Sequence, residues 1–296
     1  MKKGMRLSRE DLIFDLVVNT IGIAIVIVML YPLIFVLSAS FSDPDLVLRG
    51  KMVLFPKGFT VGSYKLVFNN AKIWQSYRNT VFYTVVGTFI NLFMTVLAAY
   101  PLSRKDMPNR RILTLIIVFT MYFNGGLIPT YLLVRNLHLY NTVWAIMIPA
   151  AISTYNLIVA RTFFERNIPE ELYDSAKLDG ASNIRILISI VLPLSSAILA
   201  VLVLYYGVAH WNSYFSALIY LRNENLFPLQ ITLRDILLLS NTEQLGSNDV
   251  GMGEKIKMAE GIKYAVIVVS SVPMLLLYPF LQKYFVKGVM IGAIKG

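Results

Sequence analysis

The chain has 296 residues, 56% hydrophobic and 15% charged, with a formal net charge of +10 and no cysteine. A soluble globule of this length carries about 25% charged residues. The excess apolar residues, gathered in long runs, therefore indicate a membrane protein, and the lack of cysteine excludes disulfides and thiolate metal sites.

The basic start, MKKGMRLSRE, leads into an apolar run from Leu16 to Leu37. That run is longer than the roughly 7–15 residues of a signal-peptide core, so a retained first span is expected. Six spans are expected in all, with apolar cores at 16–39, 79–102, 112–133, 142–162, 189–220 and 262–286. Each is close to or above the roughly 20 residues that cross the hydrocarbon layer. Backbone groups in lipid must pair within their own segment, so the spans are read as helices. The short alternating strands of a β-barrel are not visible. The fifth run is too long for a simple crossing, and its first part is expected at the cytoplasmic surface.

Lysine and arginine orient the chain. Lys2, Lys3, Arg6 and Arg9 precede the first span, and Arg104, Lys105, Arg110 and Arg111 fill the short second connection. Arg161, Arg166, Lys177 and Arg185 lie in the fourth, and Lys283, Lys287 and Lys295 in the tail. With six spans these fall on one side, so both termini are expected in the cytoplasm. The expected layout is a cytoplasmic N-terminus over 1–15, a transmembrane domain over 16–286 and a cytoplasmic tail over 287–296. Two long outer connections, 41–78 and 222–261, suit the docking of an external partner. The second is expected to hold an amphipathic helix with Ile231, Ile236 and Leu239 on or near one face.

The sequence contains no G-x-x-x-x-G-K-[ST] phosphate loop. Its two histidines, His138 and His210, are far apart and lack partners at metal-ligand spacing. No nucleophile–base pattern stands out. The middles of the expected spans hold no Asp, Glu, Lys or Arg, which counts against a proton-driven carrier. The net positive charge reads as basic cytoplasmic loops, with no RNA- or DNA-reading motif beside it. A membrane-embedded enzyme would need intramembrane acids, bases or ligands that are not found. A secondary transporter built on backbone carbonyls remains an alternative.

One polar stretch interrupts the apolar pattern: NIPEELYDSAKLDGASNIRILISIVLP, residues 167–193. Pro169 suits the first turn of a helix. Glu170, Glu171 and Asp174 lie near the positive end of its dipole. Leu172 and Ala176, four apart, share a face. Asp179-Gly180 ends the helix, because glycine accepts the left-handed cap conformation. Ser182 can then cap a second helix. The physical expectation is a rigid cytoplasmic knob between two spans, with Ala176 small enough to let a partner backbone approach.

The spacing Asp174-Ser175-Ala176, then Gly180, then Ile190-Val191-Leu192-Pro193 resembles the EAA loop of ABC-importer permeases. Asp stands for Glu, and Ser for the first Ala, of that pattern. The stretches NGGLIPTYLLVRNLHLYNTVWAIMIP, HWNSYFSALIYL and FVKGVMIGAIKG extend the resemblance to the carbohydrate-uptake branch, similar to the MalG subunit of the maltose importer. Within that branch the chain looks closest to permeases for complex or uronic-acid-containing oligosaccharides.

The resemblance implies an all-α membrane protein of the type I importer permease kind, with six transmembrane helices and a cytoplasmic coupling helix in the loop 163–193. It implies a bacterial cell-membrane location. The implied partners are a second, homologous permease, two ATPase subunits and an extracytoplasmic solute-binding protein. The implied cargo is an oligosaccharide, with acidic ones included. The chain itself is then no enzyme and binds no cofactor, and ATP and Mg belong to the ATPase subunits. Glu171, Asp174, Ser175, Ala176 and Gly180 become the ATPase-coupling residues, and the tail through Gly292 to Gly296 would reach the ATPase dimer. A permease for another solute class stays open.

Sugars are held by flat aromatic faces and hydrogen-bonding side chains. The pathway candidates are accordingly Asn124, Tyr155, Asn156, Tyr206, His210, Trp211, Asn212 and Tyr214. Tyr206, His210 and Tyr214 recur every four residues, on one face of an uninterrupted helix.

Overall fold

A computed structural model describes residues 9–242, 259–277 and 279. The described residues are helical, with no strand among them. Two compact units form. One holds the described residues up to Asn70 and those from Leu233 to Ser271; the other holds Ala71–Thr232 and those from Val272.

In the first unit, α1 (Arg9–Ser40) is 32 residues long, about 48 Å at 1.5 Å per residue. Its apolar window has no buried residue. A helix that shows Ile13, Ile23, Val28 and Leu33 to its surroundings is stable where those surroundings are hydrocarbon. The short α2 (Pro44–Leu48) is capped by Asp43, and α3 (Gly62–Asn69) follows.

The second unit is built on α4 (Ala71–Ser103), 33 residues long. Its inward face is polar and small: Ser76, Thr80, Gly87, Asn91 and Thr95 are buried. Its outward face is apolar: Val85, Phe89, Phe93 and Leu97 are exposed. This inversion of the soluble pattern places hydrogen-bonding groups against neighbouring helices and hydrocarbon against lipid.

The remaining elements depart from six uniform spans. Among the described residues three helices, α1, α4 and α15 (Ala259–Leu277), are individually long and apolar enough to cross. The expected third span becomes α5 (Arg110–Tyr122) and α6 (Leu127–Asn136), bent by 113°. The break is local chemistry. Gly126 sits at φ +92°, and Asn124 Oδ1 accepts its N–H at 2.9 Å. Neither half is long enough alone for about 30 Å of hydrocarbon. The expected fourth span, 142–162, is not one helix. It divides into α7 (Trp144–Met147) and α8 (Thr154–Asn167), with Pro149 in the break and Ser153 capping α8.

After α9 (Glu170–Leu178) come α10 (Asn183–Ile186), a π-helical turn (Leu187–Val191) and α11 (Leu192–Leu194). A bend of 83° then leads into α12 (Ser196–Trp211). Pro193 removes a helix hydrogen bond there, and the preceding π turn absorbs the mismatch. Next are α13 (Phe215–Tyr220) and α14 (Leu229–Thr242). The latter is the helix expected in the second outer connection. Ile231 is buried, as its apolar position requires, while the Leu239 side chain and the tail from Gly292 lie outside the described residues.

The core of this unit joins α4, α8, α9, α10, the π turn and α12: Ala99, Phe164, Tyr173, Ile186, Val191 and Leu202 pack in one cluster. A second cluster sets Tyr83 against Met147, Ala217 and Leu221.

Candidate functional site

The polar stretch folds as a knob. Pro169 is the residue before α9 rather than within its first turn, with extended backbone at ψ 143°. Glu170 and Glu171 open the helix, Lys177 closes it, and each charge complements the nearby end of the dipole. Gly180 takes φ +76°, with its N–H donating to Lys177 O at 3.0 Å, while Ala181 N–H donates to Ala176 O at 2.9 Å. Those two bonds satisfy carbonyls that the helix end leaves open. Ser182 caps α10 by accepting the Arg185 N–H at 3.3 Å.

The knob has two faces. Tyr173 and Ala176 turn inward and are 5% and 7% exposed. Ala176 thus packs in this chain's own core and is not on the outward face where a partner backbone was expected to approach it. Glu171, Asp174, Ser175 and Gly180 are exposed. Beside them lie two apolar side chains that sequence reasoning passed over, Leu178 at 89% and Ile184 at 71% exposure. Their signal was available: each is a large apolar residue off the inward face of a polar segment.

A second set of residues was missed. The connection from α4 to α5 grips α9 at three points. The Arg104 guanidinium lies 3.7 Å from the centroid of the Tyr173 ring. Lys105 Nζ donates to Glu170 Oε2. Lys177 Nζ donates to Asp106 Oδ2 at 2.6 Å, and Arg104 Nε reaches Asp106 Oδ1 at 3.2 Å. The bond from Lys177, and next that from Arg104, hold the Asp106 carboxyl at about 2, below its usual 3.8. A depressed acid stabilises the fold above its ordinary value, and that contribution is lost as pH falls through about 2. The carboxylate is therefore charged throughout the neutral range. Behind this, Glu165 bridges Arg161 at 2.9 Å and Arg110 at 3.2 Å, and Arg161 Nε donates to Leu102 O at 3.0 Å.

The pathway candidates divide. Asn156, Tyr206, His210, Asn212 and Tyr214 line one cleft of about 400 Å³, together with Asn91, Ser153, Tyr205 and Ser216. Asn124, Tyr155 and Trp211 do not line it. Asn124 is occupied in the bend between α5 and α6. Trp211 is 5% exposed and meets Tyr77 edge-on at 5.8 Å. Tyr155 is exposed outside the cleft. The helix expected to carry Tyr206, His210 and Tyr214 on one face ends at Trp211, and Tyr214 precedes α13. Tyr214 reaches the cleft because the chain turns.

Tyr206 and His210 face α4 as well as the cleft. His210 Nε2 and Asn91 Oδ1 are 2.6 Å apart, and Asn91 Nδ2 donates to Ala150 O. Tyr206 Oη lies 2.7 Å from Thr95 Oγ1 and accepts the Ser153 N–H at 3.2 Å. Gly87 makes room for the imidazole: a Cβ there would lie 2.5 Å from its Cε1 and Nε2. These groups are the polar floor of the cleft. Tyr205, 42% exposed, and Asn212, also exposed, are the more accessible members of the lining. An asparagine amid an apolar span is the sequence signal that would have pointed to Asn91.

Residues 70–291 match the family described as binding-protein-dependent transport system inner membrane component. The chain is 40% identical over 287 residues to the polygalacturonan/rhamnogalacturonan transport system permease protein YtcP of Bacillus subtilis, covering 97% of this chain and 100% of that one. It is also 40% identical to protein LplC of the same organism, over 91% of this chain and 90% of the relative. A crystal structure of a bacterial ABC transporter that imports the acidic polysaccharide alginate contains a chain with a TM-score of 0.87 and 34% identity, covering 95% of this chain and 100% of that one. With three quarters of its length matched, this chain belongs to the inner membrane components of binding-protein-dependent transport systems.

Proposed function

We propose that the chain is a permease subunit of an ATP-driven, binding-protein-dependent importer of oligosaccharides, with acidic oligosaccharides as the favoured cargo. The observation that carries this is the α9 knob, with Glu171, Asp174, Ser175 and Gly180 exposed, in a chain 40% identical to a polygalacturonan/rhamnogalacturonan permease. In this reading the chain lies in the bacterial cell membrane with both termini in the cytoplasm. A second permease completes the pathway, an external binding protein delivers sugar, and two ATPase subunits bind ATP and Mg. The transmembrane domain runs over 16–286, flanked by the cytoplasmic segments 1–15 and 287–296. The knob's outer face, with Glu171, Asp174, Ser175 and Gly180, seats in an ATPase, and Ala176 supports that face from within. The cleft lining carries hydroxyl, amide and aromatic groups suited to sugar, and no carboxylate among the described residues that would repel an acidic one.

Affinity purification from the native membrane in mild detergent tests the reading. Recovery of an ATPase and a second permease is expected, with uptake in liposomes that requires ATP. Recovery of the chain alone, transporting without ATP, would overturn it.

Two substitutions give sharper outcomes. Leu178→Asp changes a side chain that is 89% exposed, so the chain itself should fold normally. Burying a leucine in a partner contributes about 1.5–3 kcal/mol, or roughly tenfold to a hundredfold in affinity. Retention of the ATPase during purification should fall accordingly, and unchanged retention would remove Leu178 from the contact. In the cleft, Tyr205→Ala should lower uptake severalfold at limiting sugar, a larger effect on uptake than on thermal stability. Tyr206→Phe should do the reverse, because its hydroxyl serves Thr95 and Ser153; the loss is about 1–3 kcal/mol of stability. Equal effects of the two on uptake would show that the cleft wall is assigned wrongly.

A further inference from the structure

Force applied to α9 has two covalent exits, through Pro169 to α8 and through Gly180 to α10. The structure supplies a third that is not covalent. Three successive residues after α4 each hold a different turn of α9: Lys105 the first through Glu170, Arg104 the middle through Tyr173, Asp106 the last through Lys177. Arg104 is 9% exposed, so its guanidinium is an interior part of the joint and not a surface ornament. On the other side of this joint, α4 continues as helix through Pro101 in its last turn back to Thr95 and Asn91, which hold Tyr206 and His210 at the cleft floor. Ser103, where α4 ends beside Arg104, and Asn91 are 12 positions apart, about 18 Å of helix.

We propose that residues 104–106 are a clasp that makes α9 and α4 move as one body, so that coupling to ATP reaches the sugar cleft along α4. This rests on the importer reading above. Arg104, Lys105 and Asp106 are positioning residues: they do not line the sugar cleft and act through α9. The exposed pairs are individually weak, since water screens an ion pair at the surface. Asp106 matters more, because it alone serves both Lys177 and Arg104.

The test uses the complete purified complex in liposomes, reading sugar imported per ATP hydrolysed. Asp106→Asn should keep ATP hydrolysis and lower the ratio about fivefold. Lys105→Glu and Glu170→Lys should each lower it, and the double variant, which restores the pair with its charges exchanged, should recover it. A purely structural role would not produce that recovery. A wild-type ratio in Asp106→Asn, or a double variant no better than either single one, would overturn the clasp. The unmodified complex reports separately on the importer reading: uptake without ATP there would overturn both proposals, whereas ATP-dependent uptake with insensitive variants would overturn the clasp alone.

Discussion

Replacing Gly180 with tryptophan is expected to abolish ATP-driven uptake while leaving the chain inserted in the membrane. Two effects act together. At φ +76° a residue with a Cβ is strained by about 1–2 kcal/mol. No atom lies within 4 Å of where that Cβ would be, so the indole projects outward from the face assigned to the ATPase. Strain and obstruction can be separated. Gly180→Asn tolerates the left-handed backbone and adds little bulk, so it should retain most uptake. Gly180→Val supplies strain with modest bulk and should fall between. The measurement is ATP-dependent uptake normalised to the amount of chain in the membrane. Normal uptake by the tryptophan variant would count heavily against the knob as the coupling element.

Gly87→Ala should destabilise the protein, although the same change in an exposed helix interior stabilises by up to about 1 kcal/mol. The added Cβ would lie 2.5 Å from the His210 ring, and the ring is pinned by Asn91 and only 6% exposed. Overpacking contributes about 1–3 kcal/mol and a broken buried hydrogen bond a similar amount. A total of roughly 2–6 kcal/mol follows, large against the 5–15 kcal/mol that holds a typical domain together. The check is thermal unfolding in detergent. Gly87→Ala combined with His210→Ala removes the clash and should recover part of the loss. An unchanged melting temperature in the single variant would show that the floor of the cleft is loosely packed.

Asp179-Gly180, Ser182 and the acidic first turn of α9 were legible in the sequence because caps and dipoles act within a few residues. The long apolar runs of α1 and α4 were legible because lipid demands helices of that length. The breaks were harder to read. Hydrophobic content continues through Asn124-Gly125-Gly126, through Pro149 and through Pro193, so apolar runs that looked continuous are bent or divided. Composition reports the solvent, whereas backbone hydrogen bonding decides whether a helix continues across.

The sequence by itself determined the membrane environment, the family resemblance and the position of the polar knob, since each depends on local composition or fixed spacing. Tertiary structure decided which face of each helix is spent internally. It turned Ala176 inward and Leu178 outward, joined His210 to Asn91 across 119 positions, and closed Arg104, Lys105 and Asp106 on α9. Such pairings depend on how helices distant in sequence are set side by side, and no local pattern along the chain encodes that.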